Sequence, residues 1–486
     1  MNISGVNSNY LRLVYDLLSL IFTSLFVYFF HSMAKIPVEL MPLVLAPIVV
    51  MGSNLALGIF SYNRLASGVK KVGIIAASVI LGAGAMLLVS ETFSSAVLFS
   101  FIVFPLLALP RYFVNLNRTD SSFVSRVLDD KGVVLIVGGA GYIGTHVVDV
   151  LLNSNFKVRV LDRLMYNRAT IKDFEGNPNF QFVEGDATDI SKLVEAMTGA
   201  SAVVHLAGLV GDPACAVDKD FTRHTNVIST RMVKDVALSA GVSRFIFASS
   251  CSVYGANDDV VSETSDLNPV SLYAVTKIDS ERELLNTQNE DFHPTILRFA
   301  TVFGHSRRPR FDLVGNLFTA QAFNEKRMNV VGPAQWRPFV HCRDLARAIE
   351  KVLRAPVSKV HGQIFNVGDE NLNMTIGDLA NKVAEVAKQN QAEVRMDISE
   401  NVSDRRNYRV SFKKIKNVLG FEAEYTIEKG VAEIWSQFQK GSYGDYKTKA
   451  YSNLEMTKIQ VNSFYDPLQT TNIYRPVSDN LKTTEA

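Results

Sequence analysis

A glycine-rich turn directly after a short apolar run is the feature that most constrains the fold of this chain. Residues 133–137 are Val-Val-Leu-Ile-Val, and Gly138, Gly141 and Gly144 follow them. Apolar residues then recur at helical spacing across 147–152. Glycine lets the backbone turn sharply and approach a pyrophosphate closely, and the start of the next helix offers free N–H groups to phosphate. The segment therefore predicts the strand, turn and helix of a dinucleotide-binding domain.

Four more apolar strands follow the glycine turn, and helical patterns separate them. They are predicted at residues 157–162, 180–186, 202–208 and 244–250. Strands that alternate with helices are typical of an α/β fold, here a Rossmann-type doubly wound parallel sheet. In such a sheet ligands bind at the carboxyl ends of the strands.

Asp162 ends the second strand, 18 residues beyond Gly144. This is close to the spacing of the acid that hydrogen-bonds the adenosine ribose of a dinucleotide. A carboxylate there repels a 2′-phosphate, so the sequence predicts NAD as the cofactor in preference to NADP. The adjacent Arg163 weakens that preference slightly.

A serine, a tyrosine and a lysine form the predicted catalytic set. Ser250 ends the fifth strand, and Tyr273 and Lys277 are spaced to lie on one face of a helix. A phenol titrates at about pH 10, and a lysine ammonium one turn away stabilises the phenolate and lowers its pKa. Tyr273 could then exchange a proton with a substrate hydroxyl while a nicotinamide exchanges a hydride with the carbon. Ser250 could orient the same oxygen.

With this set, the chain resembles the extended short-chain dehydrogenase/reductase family, and within it the NAD-dependent epimerase/dehydratase group that acts on sugar nucleotides. The resemblance covers roughly residues 131–440. It implies the Rossmann fold with a smaller C-terminal substrate lobe, and a nucleotide sugar as substrate. Its motifs are GGAGYIG at 138–144, GDATD at 185–189, HLAG at 205–208, SSCSVYG at 249–255, YAVTK at 273–277, LRFATVFG at 297–304 and RPFVHCRD at 337–344.

The resemblance also implies which residues bind NAD. The three glycines would line the pyrophosphate, Asp162 would hold the ribose and Asp186 the adenine. Asn226 resembles an asparagine that supports the active site. The full predicted cofactor set is Gly138, Gly141, Tyr142, Ile143, Gly144, Asp162, Asp186, Ala187, Leu206, Ala207, Gly208, Asn226, Tyr273 and Lys277.

The two residues after Ser250 depart from the pattern of relatives that dehydrate or decarboxylate their sugars. Those relatives carry carboxylates in this stretch, whereas this chain carries Cys251 and Ser252. A thiol and a hydroxyl are not a competent acid/base pair for eliminating water at neutral pH. The departure favours an epimerase that oxidises C4, lets the keto sugar rotate and returns the hydride to the opposite face.

Four other interpretations of the function stay open. Three are enzymatic: a nucleotide-sugar 4,6-dehydratase, a 4-keto-sugar reductase, and an epimerase of a polyprenyl-diphosphate-linked sugar. The fourth is a non-enzymatic, NAD-binding membrane scaffold.

Candidate substrate residues lie mainly in the C-terminal lobe. By resemblance, Asn316 would contact the diphosphate of the sugar nucleotide, and Arg337 with one of Arg405 and Arg406 would contact phosphate through bidentate geometry. Thr301 stands where many relatives carry asparagine beside the nicotinamide and sugar, so the identity of the sugar stays open. The predicted substrate set is Ser252, Thr301, Asn316, Arg337 and Arg405.

The charge and cysteine content restrict the remaining ligand classes. The net charge is +2, which gives no electrostatic case for nucleic acid. The local basic cluster of Arg307, Arg308 and Arg310 either meets phosphate or is solvated. The three cysteines are too far apart for a zinc knuckle, so no metal site is predicted, and their odd number argues against a disulfide framework.

Apolar stretches dominate the first 110 residues, at about 11–30, 40–62, 72–90 and 92–109. Each approaches the length that a helix needs to cross a bilayer. Positive residues are concentrated between the second and third stretches and after the fourth, and positive loops stay in the cytoplasm. Residues 1–112 are therefore predicted as a four-helix transmembrane region, followed by a linker at 113–130. The catalytic domain would lie on the cytoplasmic side of an inner or plasma membrane.

Residues 441–486 are polar and weakly patterned, with aromatic residues spread too thinly to make a core. An extended C-terminal tail is predicted there. The expected partners are a nucleotide sugar, the lipid bilayer and membrane glycosyltransferases, and the resemblance leaves a homodimer open.

Overall fold

The computed structural model describes residues 19–28, 48, 50, 79, 80, 103, 132–166, 168–289, 291–400, 404 and 406–465. The chain divides into two compact units, residues 1–126 and 127–486.

The described part of the first unit is chiefly a helical segment at residues 19–28, in which Phe22 and Phe26 stack 6.4 Å apart. Among the described residues, no helix is long and apolar enough to cross a membrane. Most residues of the four predicted spans lie outside the described residues, as does the whole predicted linker at 113–130.

The second unit is built from alternating strands and helices. Its strands are β1 (Val133–Val137), β2 (Lys157–Asp162), β3 (Phe180–Glu184), β4 (Ala200–His205), β5 (Arg244–Ser250), β6 (Ala256–Val261), β7 (His293–Phe299), β8 (Thr301–Phe303), β9 (Arg327–Val331), β10 (Trp336–His341), β11 (Ile364–Val367), β12 (Asn373–Thr375), β13 (Arg395–Ser399) and β14 (Asn407–Val410). Its α-helices are α1 (Gly144–Asn153), α2 (Ile190–Met197), α3 (Asp212–Cys215), α4 (Lys219–Arg223), α5 (Ser229–Ser239), α6 (Leu272–Thr287), α7 (Val314–Glu325), α8 (Cys342–Arg354), α9 (Val357–Val360), α10 (Ile376–Gln389), α11 (Lys413–Leu419), α12 (Ile427–Gln439) and α13 (Asn453–Phe464).

Seven parallel strands form the central sheet, in the order β11-β7-β5-β4-β1-β2-β3. The strand order reverses at β1, because β2 and β3 lie on one side of it and β4, β5, β7 and β11 on the other. The predicted Rossmann-type doubly wound sheet is thereby confirmed. A crevice for ligands is expected outside the carboxyl ends of β1 and β4, where the order reverses.

The sequence of β1 explains why this strand is central. Val134 and Ile136 pack into the core on one face of the sheet, and Leu135 and Val137 pack into the core on the other. All four are at most 1% exposed. An uninterrupted apolar run is required here because helices cover both faces of a parallel sheet.

A second lobe follows the central sheet and has its own apolar core. It contains the small sheet β12-β10-β8 and the parallel pair β13-β9. Helices α7, α10 and α12 pack together around residues such as Phe318, Leu379 and Trp435. The loops between this lobe and the central sheet bring their side chains to the carboxyl ends of the strands.

The segment after residue 441 is packed, not extended, up to residue 465. Tyr443 and Tyr446 are buried, with ring centroids 5.2 Å and 6.0 Å from that of Phe311. The prediction that the aromatic residues here are too sparse for a core is wrong, because Phe311 and Phe438 complete the cluster from other parts of the chain. Residues 466–486 lie outside the described residues.

A buried ion pair joins α6 to the central sheet. The Arg298 guanidinium on β7 donates from Nη2 to Glu281 Oε2 at 2.7 Å and from Nε to Glu281 Oε1 at 3.0 Å. Both side chains are 3% exposed. The Ser249 hydroxyl on β5 also donates to Glu281. The pair therefore sets the position of α6 against β5 and β7.

Glu281→Gln should destabilise the protein by about 3–5 kcal/mol, because it leaves the buried Arg298 charge uncompensated. Thermal and urea unfolding would measure the change. Glu422→Gln is a matched control, since it breaks the exposed pair with Lys416 and should leave the stability nearly unchanged. Equal stability of the two variants would contradict a structural role for the buried pair.

Candidate active site

The glycine turn between β1 and α1 is packed closely on the end of β4. Gly138 has φ +88°, and a Cβ there would lie 2.6 Å from the backbone nitrogen of Ala207. A Cβ at Gly144 would overlap the carbonyl oxygen of Gly138. At Gly141, by contrast, the added Cβ would meet a single protein atom within 4 Å, at 3.3 Å. The protein thus fills the space at two glycines and leaves it open at the third.

The residues after β4 border the same turn. The backbone N–H groups of Leu206 and Ala207 both donate to the carbonyl of Val137 at 2.9 Å. Gly208 comes next, and a Cβ there would lie 3.1 Å from Asn226 Oδ1. This lack of a side chain lets the β4 end, the glycine turn and the Asn226 side chain meet.

Asn226 is fully hydrogen-bonded inside the fold. Its Oδ1 accepts from the backbone N–H of Leu209 at 2.6 Å, and its Nδ2 donates to the Leu209 carbonyl at 3.0 Å and to Thr276 Oγ1 at 3.1 Å. It lies in the π-helical turn His224–Ile228, a distortion that is frequent at functional sites. Asn226 therefore connects the β4 loop to α6, consistent with the predicted supporting role.

Asp162 is held by backbone donors from two loops. Its Oδ2 accepts from the N–H of Ala140 in the glycine turn at 3.0 Å, and its Oδ1 accepts from the N–H of Leu164 at 2.8 Å. Burial raises its pKa, although these two hydrogen bonds oppose the shift. The carboxylate therefore lies directly beside the glycine turn, where a ribose acceptor is needed.

Asp186 is paired with Arg163. The Arg163 guanidinium donates to Asp186 Oδ2 at 3.0 Å, and the N–H of Thr188 donates to Oδ1 at 2.8 Å. Burial opposes ionisation of Asp186, but Arg163 and Thr188 outweigh it and lower the pKa. Ala187 lies between Asp186 and Thr188 in the chain. Arg163 is thus already paired with a carboxylate. Its presence therefore favours the 2′-phosphate of NADP less than the sequence indicated.

Tyr142 and Asn316 link the glycine turn to the second lobe. The Tyr142 hydroxyl donates to the carbonyl of Gly304 at 2.7 Å and accepts from Asn316 Nδ2 at 3.0 Å. Asn316 also accepts from the Gly304 N–H at 3.0 Å and donates to the Arg310 carbonyl at 2.9 Å. The Asn316 amide, predicted to contact substrate, is thus engaged within the protein. Ile143 is half-buried at the start of α1.

The predicted catalytic residues meet at the end of β5. Ser271 caps α6 by accepting from the N–H of Ala274, which places Tyr273 in the first turn and Lys277 one turn later. Lys277 Nζ lies 5.8 Å from the centroid of the Tyr273 ring and donates to the Ala248 carbonyl at 2.8 Å. Ser250 is close enough to the Tyr273 hydroxyl to lower its pKa. The three side chains can therefore act on one substrate oxygen.

The pKa of Tyr273 differs from the sequence prediction. Burial raises it well above its usual range, and the nearby Ser250 only partly offsets that effect. Burial also lowers the pKa of Lys277 to about 8. Proximity of an ammonium group was expected to lower the tyrosine pKa, but removal of both groups from water is the larger effect in this structure.

Cys251 and Ser252 are both buried beside this set. The Cys251 thiol donates to the carbonyl of Arg298 at 3.3 Å, and burial raises its pKa far above the usual range. Ser252 is 2% exposed. In the described part of the chain, no group hydrogen-bonds its Oγ. Its backbone N–H donates to Ser250 Oγ at 3.1 Å, which fixes the orientation of the strand end.

The arginines predicted to bind phosphate form a cluster with two carboxylates. Arg337 Nη2 lies 3.1 Å from Asp404 Oδ2, and Arg406 Nη2 lies 2.6 Å from the same oxygen. Arg406 Nε is 3.4 Å from Asp212. Burial opposes ionisation of Asp404, but the two arginines outweigh it and lower the pKa strongly. Arg406 therefore lies in one cluster with Arg337.

The last two predicted substrate residues outside this cluster are Arg405 and Thr301. Arg405 lies outside the described residues. Thr301 is half-buried on β8, opposite Phe339 of β10. The sequence interpretation missed Asp212 and Asp404. The only local signal was the position of Asp404 directly before the two arginines.

Part of the chain is similar to proteins of known function. Residues 134–368 match the NAD dependent epimerase/dehydratase family. The match covers 235 of the 486 residues of the chain. The chain is an enzyme of the epimerase/dehydratase type, as the sequence predicted.

Three relatives show the range of the epimerase/dehydratase family. The chain is 28% identical over 305 residues to the low-salt glycan biosynthesis protein Agl12 of Haloferax volcanii, covering 61% of this chain and 96% of that protein. The crystal structure of the dTDP-glucose 4,6-dehydratase DesIV of Streptomyces venezuelae, with NAD bound, is 27% identical with a TM-score of 0.58 over 65% of this chain and 100% of that one. UDP-glucose 4-epimerase of Thermotoga maritima is 26% identical with a TM-score of 0.57, over 64% and 100%.

NAD is the cofactor of this enzyme, as the family description states. The residues present fit it. Gly141 leaves backbone open to a pyrophosphate, and the carboxylate of Asp162 lies beside the turn to accept from ribose hydroxyls. Tyr273 and Lys277 lie at the carboxyl edge of the sheet, where the nicotinamide end would reach.

Gly141→Ala should leave folding nearly intact, with a loss of at most about 1 kcal/mol, but weaken NAD binding roughly tenfold or more. The methyl group would occupy the space in which the pyrophosphate approaches the backbone. Calorimetric titration with NAD measures the affinity, and thermal unfolding without NAD measures the stability. Gly176→Ala is the matched control, since a Cβ there would meet nothing within 4 Å. Equal NAD affinity of the two variants would place the pyrophosphate elsewhere.

Proposed function

We propose that this enzyme is a membrane-anchored, NAD-dependent epimerase of a nucleotide sugar that serves the synthesis of a surface polysaccharide or glycoconjugate. The observation that carries the choice of reaction is the site around Tyr273. It combines a complete serine, tyrosine and lysine set with a thiol and a hydroxyl at the next two positions, Cys251 and Ser252.

The proposed reaction begins at the C4 hydroxyl of the sugar. When bound, NAD supplies the acceptor and donor of a hydride at C4. Tyr273 takes the hydroxyl proton as the hydride leaves, and Ser250 hydrogen-bonds the same oxygen. Lys277, whose pKa is about 8, remains largely protonated near neutral pH and favours the phenolate. The 4-keto sugar then rotates in the site to present its opposite face. Tyr273 would return the proton to the C4 oxygen as C4 is reduced from that face.

Elimination of water requires an acid and a base in addition to this set. Cys251 is a poor candidate, because its thiol donates a hydrogen bond to the Arg298 carbonyl and burial raises its pKa. Ser252 offers a hydroxyl, which does not ionise near neutral pH. These two side chains favour epimerisation over dehydration, although solved relatives include enzymes of both kinds.

The purified full-length protein should convert one of a panel of UDP-, GDP- and dTDP-hexoses into an isomer of unchanged mass. No added NADH should be needed, because the hydride is returned in each cycle. Chromatography and mass spectrometry would identify the product. A product lighter by one water would indicate dehydration, and a requirement for NADH would indicate a reductase.

Two variants serve as controls for that assay. Tyr273→Phe removes the proton carrier but not the ring, so turnover should fall by about two to four orders of magnitude. Cys251→Ala should retain turnover within about threefold, because the thiol has only a packing role in the proposal. Loss of activity in Cys251→Ala with unchanged stability would assign the thiol to the chemistry.

The membrane anchor and its topology are proposed from the sequence. Three of the four apolar stretches carry no charged residue, and the positive residues flank the second, third and fourth stretches. This arrangement supports a catalytic domain on the cytoplasmic side of an inner or plasma membrane, near glycosyltransferases that act there.

The full chain with a C-terminal tag should sediment with membranes and resist alkaline carbonate extraction. In sealed right-side-out cells, the tag should be protected from added protease until the membrane is opened. Release by carbonate would contradict a spanning anchor, and digestion in intact cells would contradict the topology. Neither result would affect the assignment of the catalytic site.

A further inference from the structure

Arg308 is a buried cation whose hydrogen bonding is incomplete. The residue is 3% exposed, and its Nη2 donates to Asn453 Oδ1 at 2.7 Å. Its guanidinium carbon lies 3.6 Å from the centroid of the Tyr166 ring. Within the described residues, nothing hydrogen-bonds its Nε. A buried guanidinium with an unpaired donor is costly unless an anion meets it.

The other two arginines of the same loop have carboxylate partners. Arg310 makes two bonds to Asp312, at 2.9 Å and 3.0 Å. Arg307 pairs with Asp173 at 3.1 Å and is one-third exposed. Arg308 has no ion pair with any carboxylate that the structure describes. Of Arg307, Arg308 and Arg310, Arg308 is therefore the arginine that could still pair with an anionic ligand.

Arg308 lies between the two loops that border the cofactor site. Ser306, two residues before it, donates from its hydroxyl to the carbonyl of Tyr142 in the glycine turn at 2.8 Å. The N–H of Arg308 donates back to that hydroxyl at 3.3 Å. Tyr166, under the guanidinium, follows Asp162 by four residues. If the glycine turn binds the diphosphate of a dinucleotide and Asp162 holds its ribose, as the sequence predicts, the diphosphate would lie near these two loops.

Asn453 orients the guanidinium from the start of α13. Its Oδ1 accepts from both Arg308 and the Tyr166 hydroxyl. Its Nδ2 donates to the Val210 carbonyl at 2.9 Å, and its backbone N–H donates to Asp312 Oδ2 at 3.1 Å. Asn453 is 4% exposed and lies beyond the matched region 134–368. Helix α13 therefore contacts both Arg308 and Tyr166 from outside the matched region.

We propose that Arg308, positioned by Asn453, donates to the diphosphate of NAD and is a further cofactor-binding residue. Helix α13 then forms part of the cofactor site. The inference rests on the NAD dependence of the enzyme and not on which sugar it converts, so it can fail while the proposed epimerase activity stands.

Calorimetric titration of the full-length protein with NAD and with ADP-ribose tests the proposal. Arg308→Gln should weaken both ligands about tenfold to a hundredfold, because a charge-assisted bond to the shared diphosphate is lost. Arg308→Lys should recover part of the affinity, since it keeps the positive charge but loses the planar set of guanidinium N–H donors. Asn453→Ala should weaken both ligands less than Arg308→Gln. Arg307→Gln, on the same loop, should bind NAD like the wild type.

Thermal unfolding without ligand shows whether each variant is folded, and a folded Arg308→Lys keeps the test valid if Arg308→Gln is not. NAD affinity equal to that of the wild type in a folded Arg308 variant would overturn the proposal. So would weaker binding of UDP or dTDP with unchanged binding of NAD, which would assign the arginine to the substrate diphosphate. Failure of the wild type itself to bind NAD would instead overturn the cofactor assignment.

Discussion

The buried ion pair between Glu281 and Arg298 is the interaction on which the catalytic side of the molecule depends. It joins α6 to β7, and Ser249 adds a bond from β5 directly before Ser250, the predicted catalytic serine. Arg298 also donates to the Tyr254 hydroxyl, which donates in turn to Asn366 on β11. Each charge is stable at this depth only in the presence of the other. One network therefore fixes the helix that carries the tyrosine and lysine against the strand that carries the serine.

The cofactor side depends on close packing instead of charge. Gly138 and Gly144 are in contact with neighbouring backbone, so the turn is held rigidly by the protein itself. Gly141 is different, because little protein lies beside it. Among the described residues, nothing hydrogen-bonds the buried Ser252 Oγ or Arg308 Nε. Rigid surroundings with a few open or unpaired positions are what a preorganised binding site requires.

Sequence patterns were sufficient where the structure is set locally. Strands β2 and β5 have the predicted bounds, since each is an apolar run between turns, and the catalytic set rests on a spacing of four residues in one helix. The contact between Arg308 and Asn453 spans 145 residues and leaves no periodicity that could reveal it. The direction of the Tyr273 pKa was also not predictable, because burial depends on packing around the whole site.

The proposed choice of reaction rests on the side chains that surround Tyr273 and follow Ser250. Burial shifts the pKa of Tyr273, Lys277 and Cys251 against their charged forms. Of these three side chains, only Lys277 keeps a pKa near the working range. Returning a hydride to the same carbon needs a single proton to leave and come back. Eliminating water needs a second acid/base group, and neither residue after Ser250 supplies one.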